Sequence, residues 1–415
     1  MDFSLTKEQK ELRDEVINFA LSNLNDFNEK QFFSEKLWKK VSEFGLLGLN
    51  LPETYNGTNH NYLTAAVVYE ALGYACDNNG LIFAINNHVW VCQQLIYLYG
   101  SQQLKDKYLA KMVCGELIGA IAITEPDAGS DAYSMRTFAK EQDDGYVLSG
   151  NKMFISNGTI ADIFIVFSKS TSDNRLTAFV VEKAFAGVSV GKEIEKMGLE
   201  GCPIAEICFS SCKIPKEYIL GEINFGDHIL RDALELERCY EFAPHVGAMQ
   251  RVMEKCLQYV EEREQFGRKL SSYQAVTHKI AEMKVKIELS RLMLYKIADL
   301  RDKQKNTYME TSIFKLFVSE AYIKTCQDAI QIFGAYGYTK EYGLEQELRD
   351  AIASSIYSGT SEMQKNTIFT LSQSEMLLSK RLKNFYSLSG INMKTSERDK
   401  NGYYYLCQGC TFKTD

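Results

Sequence analysis

Between residues 119 and 225 the apolar residues come in short, strand-length runs, and on both sides of that window they recur every three and four positions. This double switch of period limits the architecture more than any other feature. A helix pattern does not settle as a strand, so the chain must be helical, then β, then helical again. Only five prolines interrupt the 415 residues, so the helices can run long. A chain of this length exceeds one compact core, and two or three domains are expected.

Residues 1–118 read as a helical domain. SLTKEQKELRDEV opens with Ser/Thr followed by Glu8, a helix-capping pattern. LTAAVVYEALGYACDNNG reads as a second helix that stops at Asn78-Asn79-Gly80, and SQQLKDKYLAKMVCGE as a third ending near Gly115. The runs IGAIAIT, GYVLSGNKMFISNG, DIFIVFSK, LTAFVVEK and AEICFSS, punctuated by Gly, Asn, Asp and Ser, predict a compact β domain over 119–225, sandwich or barrel. Four long amphipathic stretches between 226 and 385 predict an antiparallel four-helix bundle, with Pro244 kinking the first. Residues 386–415 are polar around an isolated YYYLC and read as a tail, partly ordered. The expected class is α+β, mostly α.

Composition excludes several functions. Hydrophobic content of 45% and charged content of 24% are ordinary for a soluble globular protein. A net charge of −7 leaves no basic surplus to displace counterions, which argues against nucleic-acid binding. No window offers 18 unbroken apolar residues, and the N-terminus has acidic residues and no apolar core. No membrane span, signal peptide or transit peptide is therefore expected, and a cytoplasmic location is. Most of the eleven cysteines, such as Cys92 and Cys208, lie in apolar runs and read as buried thiols in a reducing compartment. Cys407 and Cys410 form one CxxC with no second pair or suitable His after it, so no metal site is expected.

Five segments carry chemistry: ITEPDAGSD (123–131), GNKMFISNG (150–158), REQFGRKLSSYQAVTHKIAEM (263–283), QIFGAYGY (331–338) and LRDAIASSIYSGTSEMQ (348–364). In this order they resemble the TEPxAGSD, GxKxWITNG, RxxFGxxLxxxQxxxxxLAxM, QxxGGxGY and RDxxxxxIYEGTxxIQ segments of the acyl-CoA dehydrogenase family, over roughly residues 3–380. The resemblance implies that family's fold and an FAD site. The residues suit a flavin on their own terms. Phe154 offers an aromatic wall to a flat ring, and Ser156, two residues along the strand, can donate to the ring's N5 and O4 edge. By resemblance, Thr124 and Ser130 lie on a loop reaching the flavin ring and the pyrophosphate or substrate; small residues there permit close backbone approach. Arg263, Phe266 and Gln331 resemble contacts made from a neighbouring subunit to the FAD diphosphate and adenine, with Gly334 and Gly337 allowing close approach. Thr360 and Glu362 join the cofactor-binding set by the same resemblance. A site shared in this way implies a homodimer or homotetramer, with an electron-transfer flavoprotein or another carrier as electron acceptor.

The reaction implied is α,β-desaturation of an acyl thioester on CoA or on a carrier protein. A base removes the α-proton, and the β-hydrogen leaves as hydride to flavin N5. Ser358 occupies the position where the family usually places its base, and a serine hydroxyl is a poor base near neutral pH. Its backbone N–H, which in the family donates to the thioester carbonyl, survives the replacement. In a minority of the family, the isovaleryl and long-chain types among them, the base stands directly before an arginine on the first helix of the C-terminal bundle. Glu237 stands before Arg238 in LELERCYEFA, among apolar neighbours that should raise its pKa. Glu241, one turn on, is the reserve candidate. Arg238, Glu235, Ser130 and Gly359 are the remaining substrate-binding residues implied, although Asp is more usual than Glu at 235. Two other readings stay open: a flavin-dependent oxidase or monooxygenase, and a non-catalytic flavin- or thioester-binding scaffold.

Overall fold

The computed structural model describes residues 4–25, 32–142, 144–170 and 174–389. The expectations for Cys407, Cys410 and the tail beyond 389 lie outside the described residues. The expected helix–sheet–helix order stands.

Helices α1 (Lys7–Asn23), α2 (Glu35–Glu43), α3 (Tyr62–Ala75), α4 (Asn79–His88), α5 (Gln94–Tyr99) and α6 (Gln102–Val113) come first. The capping box on α1 pairs Thr6 with Gln9 rather than Glu8, because the reciprocal bond needs the third helical residue. The Asn78-Asn79-Gly80 run starts a helix instead of ending one. Helix α3 closes at Cys76, whose backbone is extended, and the Asn78 side chain then accepts from the Leu81 N–H at 3.0 Å to cap α4. A π-helical turn at Val89–Gln93 joins α4 to α5.

The β region forms one sheet of β1 (Gly119–Ala122), β2 (Phe138–Gln142), β3 (Gly145–Ser156), β4 (Ile163–Ser170), β5 (Leu176–Glu182), β6 (Val188–Val190), β7 (Ile204–Pro215) and β8 (Ile219–Leu220). Its path is β6-β7-β3-β2-β4-β5-β8, and β1 pairs parallel with β4. Strand β4 is apolar on both faces because it packs against the helices on one side and a second, smaller core on the other. Strands β2, β6 and β8 were not legible as strands: β2 is FAKEQ, mostly solvent-facing, and the other two are three and two residues long.

The C-terminal region holds α7 (Gly226–Tyr240), α8 (Ala243–Glu262), α9 (Gln274–Asp302), α10 (Tyr308–Phe333), α11 (Leu344–Ala353) and α12 (Ser361–Ser389). Helices α7, α8, α9, α11 and α12 all pack on α10. The first expected stretch is two helices, not one kinked helix. It breaks at Glu241-Phe242, and Pro244 sits in the first turn of α8, where its missing N–H costs no helical bond. A short hairpin, β9 (Glu264–Gln265) and β10 (Arg268–Lys269), follows α8. Helix α12 continues four residues past the expected end of the bundle at 385.

Two glycines let α3 and α8 touch. A Cβ on Gly73 would lie 2.0 Å from the Pro244 carbonyl oxygen, and one on Gly247 would lie 2.0 Å from the Glu70 carbonyl oxygen. Gly247→Ala is therefore expected to lower the thermal midpoint. Overpacking of about 1–3 kcal/mol outweighs the roughly 1 kcal/mol gained in helix propensity. An unchanged midpoint would show that the two helices separate at little cost.

Candidate active site

Helix geometry sets Glu237 and Glu241 one turn apart on the same side of α7, at the end where the helix stops. Facing them is the turn between α11 and α12. Ser358 there has φ +57° and Gly359 φ +86°. The turn is held from below. The Ser358 carbonyl accepts from Arg238 Nε and Gln364 Nε2, both at 3.1 Å, and Gln364 Nε2 also reaches the Gly359 carbonyl at 2.9 Å. Among the described residues the Ser358 amide has no backbone acceptor. The Ser358 hydroxyl donates to Glu241 Oε2 at 3.5 Å, and Ser358 and Glu241 are the polar groups that act on the Glu237 carboxyl most directly. The Asn87 amide of α4 donates to Glu241 Oε1.

Burial pushes the Glu237 carboxyl above the ordinary range. Hydrogen bonds from Ser358 and Glu241, and the charges of Arg238 and Lys315, offset this only in part. Glu241 is raised well above that range, first by burial and then by the neighbouring carboxylate. Lys315 on α10 is buried, and among the described residues its Nζ has no hydrogen-bond partner. Burial and Arg238 press it down to about 8, and it lies over the Phe242 ring at 5.6 Å. The arrangement is a carboxylate with raised basicity beside a turn that offers an N–H, which is what removal of a proton next to a polarised carbonyl requires.

The neighbouring candidates divide by what they touch. Arg238 also reaches Ser312 Oγ at 3.4 Å and stacks over Tyr308, so it ties α7 to α10 and to the turn. Glu235 is not brought to this cluster. Its Oε1 accepts from Arg301 at 3.1 Å, from the Thr307 N–H at 2.8 Å and from the Thr307 hydroxyl. Thr360 caps α12, its Oγ1 accepting from the Met363 N–H. Glu362 is exposed in the first turn of α12.

A second group lies on the sheet. The Thr124 carbonyl accepts from the Met153 N–H at 2.8 Å, which fastens the loop after β1 to β3. Below it a buried ion pair joins Lys152 Nζ to Glu125 Oε1 at 2.8 Å, and Glu125 also accepts from the Arg136 and Thr137 amides. The register of β3 shifts between Lys152 and Ile155, and Phe154 has φ +58°. The relation of Phe154 to Ser156 thus passes through a bulge rather than a regular strand. Phe154 is left 56% exposed, an apolar ring on open surface, with Ser156, two residues on, half-buried; Ser130, on the loop after β1, is exposed. A flat aromatic ligand fits this surface: an exposed ring for its face and hydroxyls at its edge. Helix α4 links the two groups. Its Asn87 holds Glu241, its Ala84 carbonyl accepts from Asn157 at the end of β3, and its Phe83 ring packs 4.7 Å from Tyr357.

A third group stands at the far end of the bundle. Arg263 closes α8 and lies over Tyr336; Phe266, at the tip of the β9–β10 hairpin, is 94% exposed. Phe266 and Gln331 line a groove of about 590 Å³ with Tyr273, Val276 and Lys279. Gly334 ends α10 with φ +63°. No hydrogen bond among the described residues connects this group with Glu237 or Phe154. Asn87, Lys315 and Gln364 were missed by sequence reasoning. A polar residue inside an apolar helix, as in LIFAINNHVW and SIFKLF, was the available signal.

Comparison with known proteins agrees along most of the described length. Family models match in order: "Acyl-CoA dehydrogenase, N-terminal domain" at residues 6–116, "middle domain" at 120–212 and "C-terminal domain" at 224–370. An L-prolyl-[peptidyl-carrier protein] dehydrogenase of a Serratia strain is 36% identical over 375 residues, covering 89% of this chain and 97% of that protein. A short-chain specific acyl-CoA dehydrogenase of Clostridium acetobutylicum is 34% identical over 375 residues, 89% of this chain and 98% of that one. The solved structure of PigA with FAD and proline superposes with a TM-score of 0.86 at 36% identity, over 89% of this chain and 98% of that chain. The chain belongs to the acyl-CoA dehydrogenase family.

Proposed function

We propose that this chain catalyses FAD-dependent α,β-dehydrogenation of a small acyl thioester carried on CoA or on a carrier protein, with Glu237 as the base. The observation that carries the reading is the meeting of Glu237 with Ser358: a carboxyl of raised basicity stands against the turn where the family's usual base is missing. FAD, when bound, supplies the hydride acceptor. The chain does the rest. The Ser358 N–H holds the thioester carbonyl and makes the α-proton more acidic; Glu237 takes that proton. Arg238 and Gln364 fix the turn through the Ser358 carbonyl. Phe154, Ser156 and Thr124 hold the flavin ring, with Ser130 at the substrate edge and Thr360 and Glu362 at the start of α12. Gly359 lets the substrate approach the backbone. Glu235, through its second oxygen, is the pantetheine contact. Asn87 and Glu241 make the wall beside the base polar, which favours a polar acyl group over an alkyl chain.

Arg263, Phe266, Gln331 and Gly334 serve the FAD of a neighbouring copy, so the working form is a homodimer or homotetramer. Val285, Leu289 and Leu292 are exposed at spacings of four and three along α9, an apolar stripe of the kind a second copy covers. An electron-transfer flavoprotein is the proposed acceptor, and the cytoplasm the proposed location. Among the described residues no helix is long and apolar enough to cross a membrane.

Anaerobic mixing of the FAD-loaded protein with matched CoA and carrier-protein thioesters tests the reading: bleaching of the flavin by one of them is expected, and none with either would overturn it. Ser358→Ala keeps the backbone donor and is expected to slow bleaching by less than about tenfold, the scale of one neutral hydrogen bond. A loss as large as that of a missing base would show that the hydroxyl itself does chemistry.

A further inference from the structure

Glu241 is unexplained by the base assignment. It is 2% exposed, its oxygens accept from the Asn87 amide and the Ser358 hydroxyl, and it stands one helical turn from Glu237, whose charge acts on it. We propose that Glu241 is a positioning residue for the reaction at Glu237: with Ser358 it holds one proton against the base and keeps the ionised Glu237 carboxylate aimed at the α-carbon. The inference rests on the reading of Glu237 as the base.

Two carboxyls in hydrogen-bond contact and out of water do not both ionise near neutral pH, so the pair keeps one proton. The surroundings decide which oxygen carries it. Glu237 is the less buried of the two and faces the cations Arg238 on α7 and Lys315 on α10, which favour its charged form. Glu241 faces no comparable cation; the charge acting on it most strongly is Glu237 itself. The histidines, the tyrosine and the thiol around the pair stay neutral. His245 on α8 is bonded to the Tyr357 hydroxyl and is pressed down to about 3 by burial and Lys315. Tyr357 is raised well above its usual value, and Cys202, before β7, is pushed up to about 12, both mainly by burial. His88, next to Asn87, is pressed to about 4 by burial and bonded to the Met112 carbonyl and the Gly119 N–H. Glu362 on α12 faces Lys315. The proton therefore rests on Glu241 and the charge on Glu237. In the reaction the α-carbon's proton passes to Glu237, and the C–H electron pair becomes the double bond as the β-hydrogen leaves with its own pair to FAD. The doubly protonated pair then returns one proton to water.

The role also accounts for Ser358. A carboxylate at that position would set a second negative charge beside the one the pair carries; a hydroxyl donates to Glu241 instead.

The test is the pH dependence of kcat/KM for flavin reduction in wild type, Glu241→Gln and Glu241→Leu, with FAD content and KM followed in each. Glu241→Gln keeps a donor to Glu237, and its acid limb is expected to stay near that of wild type. Glu241→Leu removes the donor, so the charged base is less favoured and the acid limb moves up by about one pH unit, roughly a tenfold loss on that limb. An acid limb unchanged in Glu241→Leu would overturn the proposal. So would an equal loss at every pH in both variants, which a purely structural role produces. Glu237→Gln run alongside separates the two levels. If it still reduces flavin, the base assignment itself fails; if it is dead while Glu241→Leu keeps the wild-type profile, only the role of Glu241 fails.

Discussion

Glu237→Gln is expected to give yellow, FAD-loaded protein whose flavin is bleached by thioester about a thousandfold more slowly than in wild type. A positioned general base contributes about a hundred- to ten-thousandfold, and a buried one with raised basicity belongs in the upper part of that range. Gln keeps the length of the side chain and can still hydrogen-bond Ser358 and Glu241, so the turn, the helix end and the cofactor surface are preserved. Substrate binding should change little, because the amide removes only the proton acceptor. Stopped-flow reduction under anaerobic conditions reads the effect on the chemical step, free of the electron acceptor. In wild type the same assay has a pH dependence of fixed sign. The carboxylate is the active form, so reduction slows as pH falls through the Glu237 pKa, and the loss begins above the ordinary carboxylate value of 4.5 because burial raises that pKa. A loss only below 4.5 would mean that the base is solvated.

The second large effect is expected at Lys152. This side chain is fully buried, with its Nζ on Glu125 Oε1 at 2.8 Å and on the Ile123 carbonyl at 2.9 Å. Burial tends to raise the Glu125 carboxyl, but the Lys152 charge and hydrogen bond outweigh it and hold it low; burial in turn presses Lys152 down to about 8. Lys152→Met leaves Glu125 as a buried carboxylate with no counter-charge, at a cost of about 3–5 kcal/mol. The loop carrying Thr124 and Ser130 hangs on this pair, so FAD retention should fall with the thermal midpoint. The pH sign is informative. Without the lysine, the folded-state pKa of Glu125 lies above its unfolded value. The variant should then regain stability on acidification below that raised pKa and lose it as pH rises through it. Adding Glu125→Gln removes the charge and is expected to restore much of the midpoint. A Lys152→Met protein as stable as wild type would mean that water or another cation reaches Glu125.

Much of the fold could be read in the sequence because it depended on period. The apolar run of β4 and the three- and four-residue spacing of α8, α9 and α10 are signals a few residues long, repeated many times. What was misread depended on single residues in competition with longer patterns. Asn78-Asn79-Gly80 has the composition of a helix stop, and only the position of the Asn78 side chain relative to Leu81 makes it a start. Pro244 reads as a kink until the helix is seen to begin one residue before it. Strand β2 alternates too little to announce itself, since its pairing with β3 and β4 is set by partners far along the chain. The candidate site was legible to the extent that its residues sit in local motifs. Glu237, Arg238 and Ser358 could be named, but Asn87 and Lys315 reach the cluster from two other helices and carry no motif of their own, and Gln364, though it ends a motif, gives no sign in the sequence that it folds back onto the turn. Glu235 shows the limit from the other side. Its motif position points to substrate, and nothing local announces that one of its oxygens is engaged by Arg301 and Thr307, residues about seventy positions away.

Catalysis by Glu237 requires its carboxyl to reach the substrate's α-carbon when cofactor and substrate are present. A crystal structure with FAD and a non-oxidisable thioester analogue measures this directly. The predicted result is a Glu237 oxygen about 3 Å from the analogue's α-carbon, within proton-transfer reach, on the face opposite the flavin, with the thioester oxygen on the Ser358 N–H. A Glu237 carboxyl turned away from that carbon, with another side chain nearer to it, would contradict the account.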